Sequence, residues 1–66
     1  MKTYEAWVVM DTENSAMTEE HETEAAARAE ILEKYTEEQA QENGFTVCRL
    51  LCSEGQWLEC LEEVVF

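Results

Sequence analysis

The stretch Thr23–Glu42, TEAAARAEILEKYTEEQAQE, decides how the rest of the chain must fold. Thr23 is a good N-cap, because its hydroxyl can accept from an orphan amide of the first turn. Glu24 follows in that turn, where the helix dipole favours an acid. Ala25, Ala26, Ala27 and Ala29 add high helix propensity. At ~100° per residue, Ala25, Ala29, Ile31, Leu32, Tyr35 and Ala40 are read onto one side, the expected buried face. Asn43-Gly44 marks the end, with Gly44 suited to a left-handed C′ position. One helix from Thr23 to Glu42 is therefore expected.

Working outward, Thr3–Met10 (TYEAWVVM) is rich in aromatic and β-branched residues and reads as a first strand. Asp11–Ser15 is a polar turn cluster. Ala16–Glu22 (AMTEEHE) reads as a short polar edge strand or as a loop running into the helix; charged side chains are a common way to blunt an edge. Phe45–Cys52 and Gln56–Phe66 read as two further strands joined by Ser53-Glu54-Gly55. Glu54 disfavours the positive φ of a type I′ turn, so a type I turn with Gly55 at the left-handed bulge position is expected. In that register Cys48 faces Cys60, Leu50 faces Leu58, and Arg49 faces Glu59. The order is β(β)αββ in a single domain spanning 1–66. The fold class is α+β, one helix packed on a three- or four-stranded antiparallel sheet.

Sixty-six residues bury only ~60% of their unfolded surface, so the core is small. With 45% apolar residues the chain still has material for one. No run of ~18 apolar residues is present, so no membrane span is expected. The opening Met1-Lys2-Thr3-Tyr4-Glu5 meets an acid before any apolar run, so no secretory signal is expected. Three cysteines cannot complete a disulfide framework, which fits a reducing cytoplasmic setting. Sixteen acids against four bases give a formal charge of −12. Self-repulsion at this ratio lowers stability, and it calls for a basic partner, a high-salt setting or a demand for solubility. Direct binding to DNA or RNA is not expected, because phosphate contacts need Lys and Arg in number.

On the helix, Glu24 with Arg28 and Glu30 with Lys34 are favourable i,i+4 pairs. They leave Glu33, Glu37, Glu38 and Glu42 uncompensated, with Glu33/Glu37 and Glu38/Glu42 as repelling pairs. Glu30, Glu33 and Glu37 are read onto one sector, where the i,i+4 rise of ~6 Å approaches the phosphate spacing along a nucleic-acid strand. Asp11, Glu13, Glu19, Glu20 and Glu22 form a second acidic cluster at one end of the sheet. These ten carboxylates are the expected partner-binding surface; a solvated face is the alternative. No catalytic residue, cofactor site or metal site is expected. The Asp11–Glu22 oxygens approach calcium-loop spacing, but Ala16 stands where that loop needs glycine. Cys48 and Cys52 lie ~13 Å apart along a strand, too far to share a metal, so the cysteines read as small buried hydrophobes. His21 has no triad partner. Trp7, Trp57 and Tyr4 read as core. The last hairpin is apolar on both faces: Leu50, Leu58 and Val64 on one, Val47, Leu51, Trp57 and Leu61 on the other. One helix covers only one face, so the surplus predicts a weak homodimer or a partner interface.

A very small, strongly acidic, cofactor-free α+β chain of this element order resembles the phage-encoded anti-CRISPR proteins, and among them the compact anionic inhibitors of type I-C systems. The likeness lies in size, charge and element order over the whole chain, and it carries over no residue. It implies a DNA mimic in the bacterial host cytoplasm. Such an inhibitor occupies the basic groove in which the large subunit of the Cascade complex reads the PAM, and so blocks target DNA. That groove is lined with Arg and Lys, and an acidic surface gains fast, salt-sensitive association with it.

Overall fold

A computed structural model describes residues 2–66; Met1, the first residue of the N-terminal stretch read above, lies outside them. The elements run β1 (Tyr4–Met10), α1 (Glu24–Leu32), α2 (Glu37–Glu42), β2 (Thr46–Ser53) and β3 (Gln56–Val65). The three strands form one antiparallel sheet in the order β1-β2-β3. The α+β class is as expected, and all three strands lie within a residue or two of their predicted bounds.

The helix is not continuous. α1 opens with the predicted cap, Thr23 Oγ1 accepting from Ala26 N–H at 3.1 Å. It stops at Glu33, and α2 starts afresh behind Thr36. There Thr36 Oγ1 accepts from Gln39 N–H while Gln39 Oε1 accepts from Thr36 N–H, a reciprocal capping box. The break has a packing reason. Ile31 and Ala40 are nine positions apart, which on one helix at ~100° per residue places them on opposite sides. Restarting the helix lets both enter the same core. The predicted buried face is corrected accordingly: Ala27, Ile31 and Ala40 are buried and Tyr35 is partly buried, whereas Ala25, Ala29 and Leu32 are exposed.

α2 ends as expected. Gly44, at φ +74°, takes the left-handed position after Asn43. Phe45 N–H donates to Ala40 O and Gly44 N–H to Gln41 O, the paired bonds of a Schellman ending. This ending turns Phe45 into the core formed by Val9, Ala27, Ile31, Ala40, Val47 and Phe66, with Trp7, Met17 and Tyr35 packed against it. Arg28 joins α1 to the end of β3. Its guanidinium lies 5.0 Å from the Phe66 ring centroid and donates to Val65 O.

The opposite face of the sheet carries a second cluster: Ala6, Val8, Met10, Cys48, Leu50 and Cys52. The outer edge of β1 is covered by the segment that follows it. Trp7 and His21 exchange backbone hydrogen bonds of 2.7 and 2.9 Å, and Met17 N–H donates to Val9 O. This segment makes isolated bridges at Ala16 and His21 rather than a fourth strand. Among the described residues, no helix is long and apolar enough to cross a membrane.

The β2-β3 hairpin departs from the expected register. Its loop is Glu54-Gly55, with φ of +52° and +79°, between the paired Ser53 and Gln56. That is a type I′ loop, the form whose twist matches the strands, and Glu54 tolerates the left-handed conformation to make it. Two bulges follow. Leu58 is the extra residue between the pairs Cys52/Trp57 and Leu51/Glu59, and Leu61 is the extra residue between Leu50/Cys60 and Arg49/Glu62. Cys48 therefore opposes Glu63 rather than Cys60, Leu50 opposes Cys60 rather than Leu58, and Arg49 opposes Glu62 rather than Glu59. The bulges also break the predicted alternation of faces. Val64 opposes Val47 on the helix side, and Trp57 shares the open side with Leu50.

Candidate acidic interface

The helix break dissolves the proposed phosphate-like row. Glu30 and Glu33 belong to α1 and its cap, while Glu37 sits at the start of α2, so the three do not share one helical sector. The expected pairing is half right. Arg28 Nε donates to Glu24 at 2.7 Å. Glu30 does not pair with Lys34; its Oε1 lies 2.7 Å from His21 Nε2, which ties α1 to the segment covering the β1 edge.

Several predicted partner-binding acids are already engaged within the fold. Asp11 Oδ1 accepts from Glu13 N–H and Ser15 N–H, which shapes the loop after β1. Glu20 takes a hydrogen bond on each oxygen, from Tyr4 Oη at 3.0 Å and from Trp57 Nε1 at 2.9 Å. It thereby links the two edges of the open face, and its carboxylate pushes the Tyr4 phenol above its ordinary pKa. Tyr4 is 43% exposed and Trp57 41%, so these two rings are surface residues and not core, whereas Trp7 packs against the helix side. Glu5 and Glu62 flank Arg49 at 2.7 and 3.3 Å across all three strands.

Ten of the sixteen acids make no ion pair or side-chain hydrogen bond among the described residues: Glu13, Glu19, Glu22, Glu33, Glu37, Glu38, Glu42, Glu54, Glu59 and Glu63. All ten are exposed. Seven of them were read as partner-binding from the sequence. Glu54, Glu59 and Glu63 are additional to that expected surface, because in the sequence their only local signal is that of turn and strand residues.

These acids do not all pose the same question. Glu37 and Glu38 occupy the first turn of α2, where the dipole stabilises them. Glu59 and Glu63 lie on β3, an open sheet edge that charge protects against strand addition. Glu33 and Glu42 are different. Each sits at a helix C-terminal end with no base in the last turn, so each opposes the dipole. Glu33→Lys and Glu42→Lys are each expected to raise stability by about 0.3–1 kcal/mol at low salt. The increase appears as a higher urea midpoint and shrinks as salt is added. An unchanged or lowered midpoint would mean that these acids have partners within the fold.

A cleft of about 470 Å³ is lined by Met17, Glu30, Ile31, Glu33, Lys34 and Tyr35. It mixes Lys34 with the carboxylates and holds no hydroxyl or thiol nucleophile beyond the Tyr35 phenol. Cys48 and Cys52 are buried, and burial pushes both thiols upward, away from the reactive thiolate. Cys60 is exposed, contrary to the expectation that all three cysteines are buried. Compared with family models, with curated proteins and with solved structures, the chain gives no match.

Proposed function

We propose that this protein is an acidic nucleic-acid mimic that blocks a basic nucleic-acid-binding protein by occupancy, without an enzymatic step. Following its resemblance to the small acidic anti-CRISPR proteins, the proposed target is the PAM-reading groove on the large subunit of a type I Cascade complex in the bacterial host cytoplasm, with type I-C the first to test. The observation that carries the reading is charge kept where it lowers stability. Glu33 and Glu42 oppose their helix dipoles, and ten exposed carboxylates have no counter-charge among the described residues. A groove built to hold phosphates would supply that counter-charge.

The test pairs binding with stability. The double variant Glu33→Lys/Glu42→Lys is expected to be more stable than the parent and to inhibit target-DNA binding at least about tenfold less well. Parent binding should weaken steeply between low and high salt. A variant that inhibits undiminished would remove these two acids from the interface.

A second reading rests on the open hairpin. Trp57, Leu58 and Leu61 are exposed large side chains on β3, and Tyr4 at the start of β1 is exposed as well. If they form the interface instead, binding or self-association is nearly insensitive to salt and is lost in Trp57→Ala. The same titrations therefore separate the two.

A further inference from the structure

The bulge at Leu61 does more than shift the register. In a regular strand, residues three apart point to opposite faces. The extra residue lets Cys60 and Glu63 both face the open side, opposite Leu50 and Cys48, which are two apart on β2. One sulfur of Cys48, one of Cys60 and a carboxylate oxygen of Glu63 consequently all lie within 4.8 Å of one another. Bulges commonly re-aim side chains in this way at functional positions.

We infer that Cys48, Cys60 and Glu63 form a binding site for a single zinc ion that clasps β2 to β3. Two thiolates and a carboxylate are a donor set that zinc accepts, and they leave a fourth tetrahedral position for water. Zinc–sulfur bonds of ~2.3 Å place two sulfurs ~3.8 Å apart, so small side-chain rotations from the present spacing close the site. Cys60 and Glu63 are exposed and provide the path of entry, while Cys48 is buried and anchors the inner side. Thr46 Oγ1 lies 3.8 Å from Cys48 Sγ, where its hydroxyl can donate to the bound thiolate and orient it. The protein's charge of −12 concentrates cations around it, and the third donor neutralises more of the ion's charge than a thiol pair alone. A Cys48–Cys60 disulfide would give no role to Glu63. The site shares Glu63 with the ten uncommitted carboxylates but uses neither Glu33 nor Glu42, so its metal titration is read separately from the test of the acidic-mimic reading.

The test is a titration of the reduced, purified protein with cadmium(II), and then with zinc(II) in competition. The expected result is a thiolate-to-cadmium absorption band that saturates at one ion per chain and is displaced by zinc but not by excess magnesium. Magnesium resistance separates the site from diffuse binding to the many surface carboxylates. Cys60→Ser, at an exposed position, should abolish the band. Glu63→Gln should weaken binding by about tenfold or more, as loss of even an outer partner of a metal ligand does. Cys52→Ala should leave the band intact. The inference is overturned if no band forms, if magnesium removes it, if it persists in Cys60→Ser, if it is lost in Cys52→Ala, or if Glu63→Gln binds as well as the parent.

Discussion

Phe45→Ala is expected to leave the protein largely unfolded at 25 °C. Phe45 is only 6% exposed and belongs to the cluster that joins both helices to the sheet. Its ring meets Tyr35 edge-on, with centroids 5.2 Å apart and planes at 89°. Truncating a buried phenylalanine costs about 3–5 kcal/mol through lost transfer energy and the cavity left behind. A domain of this length has roughly 3–10 kcal/mol in total, and the net charge of −12 pushes it toward the lower part of that range. The substitution thus removes most or all of the margin. Far-ultraviolet circular dichroism under urea should show no cooperative transition, or one beginning near zero denaturant. Phe45→Leu, which keeps most of the volume, should cost less than about 1.5 kcal/mol and retain the transition. A Phe45→Ala protein with a midpoint close to the parent's would place the core elsewhere.

Gly44→Ala is expected to destabilise more than Gly55→Ala, although both glycines have positive φ. Each substitution carries the left-handed penalty of about 1–2 kcal/mol. At Gly55 nothing else is added, because an added Cβ meets no atom within 4 Å. At Gly44 the added Cβ would lie 2.8 Å from Thr12 Cγ2, so something must shift. Overpacking of this kind typically adds about 1–3 kcal/mol. For so small a domain each kcal/mol moves the melting temperature by roughly 4–8 °C, so the difference between the two variants is measurable in a thermal scan. Thr12→Ser removes the offending methyl. Combined with Gly44→Ala it should recover the contact part of the loss and leave the backbone part. Equal losses at Gly44 and Gly55 would show that Thr12 yields freely.

Which parts of this fold could be read in the sequence follows from how local their causes are. The strands were legible because aromatic and β-branched runs are set off by turn residues. The start at Thr23 and the ending at Gly44 were legible because caps act within a few residues. The break at Thr36 carried a signal as well. Thr36-x-x-Gln39 is a capping-box pattern, but it lies inside a stretch whose high helix propensity masks it. Its necessity comes from elsewhere, from Ile31 and Ala40 needing the same sheet face. The hairpin register had a fainter mark. In WLECLEEVV the apolar doublets Trp57-Leu58 and Cys60-Leu61 are each followed by glutamate, as if one residue too many had been inserted. Only pairing with β2 makes Leu58 and Leu61 the bulged residues.

The candidate sites divide in the same way. The charge of −12 is a property of composition, and the resulting call for a basic counterpart was available before any fold was known. Which acids remain uncommitted was not. Asp11 and Glu20 were enlisted by the loop and by the two exposed rings, and Glu30 exchanged Lys34 for His21. Those choices depend on distances between segments far apart in the chain. The strands, the caps at Thr23 and Gly44 and the excess of negative charge are legible in the residues themselves, since each arises from a residue and its near neighbours. The helix break and the bulged register are only faintly marked in the residues and are selected by packing five elements on one small core, while the meeting of Cys48, Cys60 and Glu63 follows from that register and from no local rule.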